Sequence, residues 1–174
     1  MLASCENGKS SFDEFMIFSE KFKTRQIIDS ENMWEVLIVD DERDVHKMTK
    51  MVLRNYSFLG QKINFHSAYS AKEAKMILED NGNIALILLD VVMEDRNAGL
   101  KLVEYVREDL ANEAIRIIIR TGQPGEAPEE TVIRDYMIND YIEKGDITIR
   151  RLYTTITTSL RGYKDLVALK DSIK

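Results

Sequence analysis

The sequence predicts a doubly wound α/β domain, with five parallel strands and helices on both faces of the sheet. Three observations carry that expectation. Glu35-Val-Leu-Ile-Val-Asp40-Asp41 and Ile84-Ala-Leu-Ile-Leu-Leu-Asp90 are short apolar runs ending in carboxylates, the pattern of strands buried on both faces. Segments with apolar residues three and four apart lie between the runs, so strands alternate with helices. Right-handed crossovers then place the strands in one parallel sheet, with their carboxyl ends along a single rim.

The 174 residues suffice for one domain with extensions, and 44% hydrophobic and 31% charged content is that of an ordinary globular chain. A net charge of −6 offers no footprint for nucleic acid or an anionic membrane. The single cysteine, Cys5, excludes an intrachain disulfide and suits a reducing cytoplasm. No apolar run reaches the length of a membrane span and no signal peptide is legible. Two histidines, His46 and His66, exclude a metal site built on histidine and cysteine spacing.

Residues 1–33 read as an N-terminal extension in which Phe12, Phe15, Met16, Phe18 and Phe22 could form a short amphipathic helix. Ala3 to Ser10 fits a permissive phosphate-loop pattern, but only Met1 and Leu2 precede it, where the motif needs a buried strand. The domain core is expected over 34–147. Its first strand ends at Asp40, and Val45, Met48, Val52 and Tyr56 mark the apolar stripe of the first helix. Lys62 to Ala68 alternates as a partly exposed strand, Ser70 to Glu73 forms a capping box, and Asn81-Gly82-Asn83 closes the second helix. Leu100, Val103, Val106 and Leu110 share a face of the third helix, and the next strand runs from Ile115 to Thr121-Gly122. Gln123 to Pro128 is turn chemistry, with Pro128 opening a fourth helix that runs to about Met137. A short strand, Asn139 to Glu143, closes at Lys144-Gly145. Over 148–174 a long last helix carries Ile149, Leu152, Ile156, Leu160, Tyr163, Leu166, Leu169 and Ile173 at spacings of three and four. That stripe outlasts what packing on one sheet requires, so it reads either as a docked terminal helix or as a connector or dimer seam.

The chemistry gathers at the strand ends. Asp40, Asp41 and Asp90 would repel one another without a cation, and a hard divalent ion with oxygen ligands, Mg²⁺ above all, answers that repulsion. An Asp carboxylate is a competent nucleophile toward a phosphoryl group. Lys144 would neutralise charge on the transferring oxygens and the Thr121 hydroxyl would donate to one of them. Taken singly, Asp40 and Asp41 fit equally well as caps of the first helix.

In this order, Val36-Leu-Ile-Val-Asp40-Asp41-Glu42, Asp90, Thr121 and Lys144 resemble the receiver domain of bacterial two-component response regulators, over Glu35 to Tyr163. The resemblance implies a flavodoxin-like sheet of strand order 2-1-3-4-5 and phosphorylation of Asp90 by a sensor histidine kinase. It implies Mg²⁺ on Asp40, Asp41, Asp90 and the backbone carbonyl of Val92. Thr121 and Tyr141 would act as switch residues, Tyr141 turning inward, and the face of fourth helix, fifth strand and fifth helix would exchange partners or dimerise. Met93 is followed by Glu94 and Lys144 by Gly145, both where the family often has Pro, and the Asp90–Gly99 segment is one residue longer than usual. Val91 to Glu94, Ala98-Gly-Leu, Arg120 to Gly125 and Ile138 to Tyr141 resemble a subgroup often joined to HD-GYP cyclic-di-GMP phosphodiesterase modules, so an output domain beyond this sequence is implied.

Two other readings remain. A receiver-shaped interaction module would bind without being phosphorylated. An Asp-nucleophile phosphatase would commonly want a second acid two residues after its nucleophile, where Val92 stands. His46 and His66 read as solvated surface residues. Trp34, six residues before Asp40, lies about 20 Å from the rim along a strand, too far for its fluorescence to report on the site.

Overall fold

In a computed structural model, which describes residues 32–122 and 129–173, apolar runs become the centre of one sheet. β1 (Trp34–Val39) and β4 (Ile84–Leu89) pair in parallel, and every residue of β4 is buried. β3 (Gln61–Ala68) flanks β1, while β5 (Arg116–Thr121) and β6 (Asp140–Glu143) extend the other side, all in parallel. These five strands stand in the expected order.

The sheet nevertheless has six strands. β2 (Ser57–Phe58) pairs antiparallel with the start of β3 at the edge, giving the order β2-β3-β1-β4-β5-β6. Leu59 and Gly60 join the two strands with φ of 53° and 80°, the left-handed conformation of tight hairpin turns. Two residues are too few to show a period, and a leucine in that turn conceals it.

The helices are α1 (Arg43–Val52), α2 (Ala71–Asp80), α3 (Ala98–Glu104), α4 (Glu129–Asp135) and α5 (Ile149–Ser172). Ser70 caps α2 by accepting from the Glu73 N–H at 3.1 Å. Glu73 returns to the Tyr69 N–H rather than to that of Ser70, so the capping box is closed one residue early. Beyond Glu104 the third helix widens into a π turn over Tyr105–Asp109. Arg107, held down to a pKa of about 10 by burial, donates from there to the carbonyls of Asn112, Ile115 and Met137 and ties α3 to the foot of β5.

One core, containing Leu37, Val39, Leu89, Val103 and Ile119, lies under α2, α3 and α4. The other, containing Val36, Ile38, Leu88, Ile118 and Ile156, lies under α1 and α5. α5 is buried at Leu152, Ile156 and Leu160, whereas Ile149, Leu169 and Ile173 are exposed. The phenylalanine-rich segment, the phosphate-loop pattern and the Gln123–Pro128 turn lie outside the described residues. Trp34 sits at the starting end of β1 against Phe58, whose carbonyl accepts from its indole N–H.

The face that α1 buries differs from its expected stripe. Met48 is 61% exposed, and His46 and Thr49 point inward instead. His46 is therefore a buried residue, not a solvated one. Its Nε2 donates to the Asp40 carbonyl at 2.7 Å, which assigns the proton to that nitrogen, and its Nδ1 accepts from Ser67 Oγ at 3.0 Å. Its ring packs on Tyr69. His66 is likewise half-buried, paired with Glu35 across β1 and β3. Burial holds the His46 imidazole below its ordinary 6.5. The unfolded chain then binds more protons than the folded one as pH falls below that value, and stability is lost from there down to the depressed folded pKa. His46→Gln is expected to shrink the fall in Tm between about pH 7.5 and pH 5.5 by a few degrees, read by thermal melts. An unchanged pH dependence would remove His46 from the acid response.

Candidate functional site

The register of the central strands builds the site. Val39 pairs with Leu89 and Leu89 with Ile119, so Asp40, Asp90 and Arg120 follow side by side at the rim. Carboxylate oxygens of Asp40, Asp41 and Asp90 lie within 4.8 Å of one another. Asp40 and Asp90 are buried and Asp41 is exposed.

Lys144, in the short 3₁₀ turn after β6, reaches into this group. Its Nζ lies 2.7 Å from Asp90 Oδ2, 2.9 Å from Glu42 Oε1 and 3.0 Å from Asp40 Oδ2. The first two are well-formed hydrogen bonds, whereas Asp40 Oδ2 is close to the ammonium but makes no aligned hydrogen bond among the described residues. The other oxygen of Asp40 accepts from the Glu42 N–H at 3.0 Å, and Asp90 Oδ1 from the Val92 N–H at 3.3 Å. The capping alternative for Asp40 therefore becomes a turn contact two residues on; the residue at the start of α1 is Glu42, whose side chain binds Lys144 instead.

Both members of the Lys144–Asp90 pair titrate high, for different reasons. Burial pushes the Asp90 carboxyl up and nearby Asp40 adds to it, against the pull of Lys144. Burial draws Lys144 down, but Asp90, Glu42 and Asp40 together override it and the net shift is upward. An acid cluster short of positive charge has this signature. One buried carboxylate oxygen without an aligned hydrogen bond, beside two more carboxylates, fits a hard divalent cation.

Thr121, wholly buried, ends β5 opposite Glu143. Gly122 lines the cleft with Asp41, Glu42, Asp90, Val92, Met93 and Lys144, and a side chain there would meet the Lys144 stem at 3.6 Å. Tyr141 already stands inward, packed in the core beneath α3 and α4.

Three residues escaped the sequence reading. Glu42 closes the acidic stretch after β1, and nothing in its spacing announces that its side chain binds Lys144. Gly99 lies at the head of α3, which presses on the backbone beside Asp90: a Cβ there would fall 2.2 Å from the Asp90 carbonyl oxygen. Arg120 is 2% exposed, on the inward face of β5. Its signal was an arginine two residues beyond Ile118, in line with it on the face of a strand whose three central residues are isoleucine.

Among the described residues no helix is long and apolar enough to cross a membrane. A family model described as the response regulator receiver domain matches residues 36–157. The chain is 42% identical over 149 residues to the 3'3'-cGAMP-specific phosphodiesterase 2 of Vibrio cholerae serotype O1, covering 86% of this chain and 28% of that protein. It is 28% identical over 137 residues to the regulatory protein VanR of Enterococcus faecium, covering 79% and 54% respectively. The chain thus spans only part of the curated relatives it matches. Among solved structures, the signal receiver domain of an HD domain-containing protein from Pseudomonas fluorescens Pf-5 superposes with a TM-score of 0.66 at 17% identity, over 77% of this chain and 99% of that one. With the acid cluster and its lysine at the rim of a parallel sheet, these matches show that the chain belongs to the response regulator receiver domain family of two-component signalling.

Proposed function

We propose that the chain is a phosphorylation-controlled switch whose phosphoacceptor is Asp90. The observation that carries this reading is the Lys144 ammonium seated 2.7 Å from Asp90, inside a cluster of three carboxylates. A carboxylate oxygen of Asp90 attacks the phosphorus of a phosphohistidine on a sensor histidine kinase. The P–O bond forms as the P–N bond breaks, and the imidazole leaves with the bonding pair and takes up a proton. Mg²⁺, which this family binds at its acidic pocket, would supply charge neutralisation for the phosphoryl oxygens, held by Asp41 and Asp90 with help from Asp40 and the Val92 carbonyl. Lys144 balances a second part of that charge, the Thr121 hydroxyl donates to one oxygen, and Gly122 keeps the approach open.

The acyl phosphate adds negative charge and strong acceptors. Thr121, Lys144 and Tyr141 read them, and the face of α4, β6 and α5 passes the change to a partner or a second copy. The exposed end of α5 serves as connector or dimer seam. The relatives include a phosphodiesterase and an HD domain-containing protein, which supports an HD-GYP-type output module in the whole protein. The chain itself accepts and loses a phosphoryl group in the cytoplasm and turns over no metabolite.

Intact-protein mass after incubation with acetyl phosphate tests this. One phosphoryl adduct is expected with Mg²⁺ and none after chelation. Absence of an adduct from both acetyl phosphate and a phosphorylated histidine kinase would leave the binding-module reading in its place.

A further inference from the structure

Arg120 is an expensive residue where it stands. On that face of the sheet it is paired with Ile142 and lies next to Ile118, with Leu88 on the adjoining strand, all buried and apolar. Burying a guanidinium costs several kcal/mol unless charge and hydrogen bonds compensate. Hydrogen bonding does little here. Nη1 donates to Thr49 Oγ1 at 2.8 Å, and that hydroxyl donates in turn to the Val45 carbonyl. Nε and Nη2, the parallel pair that would fork onto a carboxylate, make no hydrogen bond among the described residues. The compensation is charge. Asp40 and Asp90 hold the guanidinium up against burial, which lowers its pKa only to about 10, so it stays protonated at neutral pH.

The charges at the rim then balance in an informative way. Four carboxylates, Asp40, Asp41, Glu42 and Asp90, gather here with two cations: Lys144 in ion-pair contact, and Arg120 following beside Asp90 across the sheet without an ion pair to it among the described residues. One divalent ion makes that group neutral; without Arg120 it would not.

We infer that Arg120 is the buried second cation of the phosphorylation site, a positioning residue that sets the site's charge and so its affinity for the divalent ion. This rests on the metal-dependent reading of the rim given above. Arg120 does not touch the reacting atoms. Its field opposes the metal in the resting state and offsets part of the negative charge that phosphorylation adds. The substitution that separates charge from packing is Arg120→Met, similar in length and neutral.

Calorimetric titration of the full chain with MgCl₂ tests the inference. Arg120→Met is expected to bind Mg²⁺ about fivefold tighter or more, because a unit charge buried near a divalent ion is weakly screened. Arg120→Lys, which keeps the charge and loses the fork, is expected to stay within about twofold of wild type. Equal or weaker Mg²⁺ binding by Arg120→Met would overturn the inference, because a packing role alone leaves affinity unchanged or lowers it. If the methionine variant does not fold, Arg120→Gln is read by the same criterion. A wild-type chain that binds no Mg²⁺ would overturn the metal reading and this inference together; wild-type binding with no effect of the neutral variants would overturn this inference alone.

Discussion

Asp90→Asn is expected to abolish the phosphoryl adduct completely and to leave the fold intact. The amide offers no nucleophilic oxygen, and the neighbouring acids are poorly placed to substitute. Asp40 is wholly buried, and Asp41 is not among the acids that bind Lys144. Stability should not suffer, because the wild-type carboxyl is held above its ordinary range by burial and by Asp40. A group titrating that high is destabilised in its charged form, and replacing it with a neutral isostere relieves both effects. Lys144 keeps Glu42 and Asp40 as partners. Tm without Mg²⁺ should therefore equal or exceed that of wild type. The gain in Tm on adding Mg²⁺ should shrink, because a ligand stabilises only in proportion to its binding. Intact mass and melts with and without Mg²⁺ measure both. An adduct of wild-type stoichiometry in this variant would move the phosphoacceptor to another residue.

What could be read from residues alone, and what could not, divides along a physical line. β1, β4 and β5 are legible because strands buried on both faces are built around continuous apolar runs, and a run of isoleucine, leucine and alanine ending in Asp90 admits few alternatives. Asp40, Asp41, Asp90 and Lys144 follow from the same logic, since parallel strands bring their ends to one rim whatever the loops do. The missed features depend on tertiary neighbours. α1 was read by its apolar residues, yet it buries His46 and Thr49 because the Asp40 carbonyl and Arg120 wait there with polar needs. Arg120 lies inside a strand that was legible through Thr121, but its burial depends on α1 and α5 covering that face, which strand patterning does not show. The π turn at Tyr105–Asp109 keeps the helical spacing of Val103 and Val106, so periodicity passes over it.

Gly99→Ala is expected to be the most damaging single-methyl change in the domain. The added Cβ would lie 2.2 Å from the Asp90 carbonyl oxygen and 2.7 Å from Val91 Cα, contacts that no side-chain movement can relieve because both atoms are backbone. Either α3 withdraws from the sheet or the Asp90–Val91 segment shifts. Withdrawal would break the bond from the Gly99 N–H to the Val91 carbonyl, now 3.0 Å, and open the packing of Leu102 and Val103. Overpacking of this kind costs about 3 kcal/mol or slightly more. For a domain of this size that lowers Tm by on the order of 10 °C. If the segment shifts instead, Asp90 leaves the reach of Lys144 and the adduct should form on the order of 10²-fold more slowly, as for other displaced reacting groups. Gly82→Ala is the control, since nothing lies within 4 Å of its would-be Cβ. Thermal melts of the two variants, with adduct formation followed by intact mass, read both routes. Equal melting and equal rates would mean that α3 and the phosphoacceptor backbone approach less closely than the fold requires.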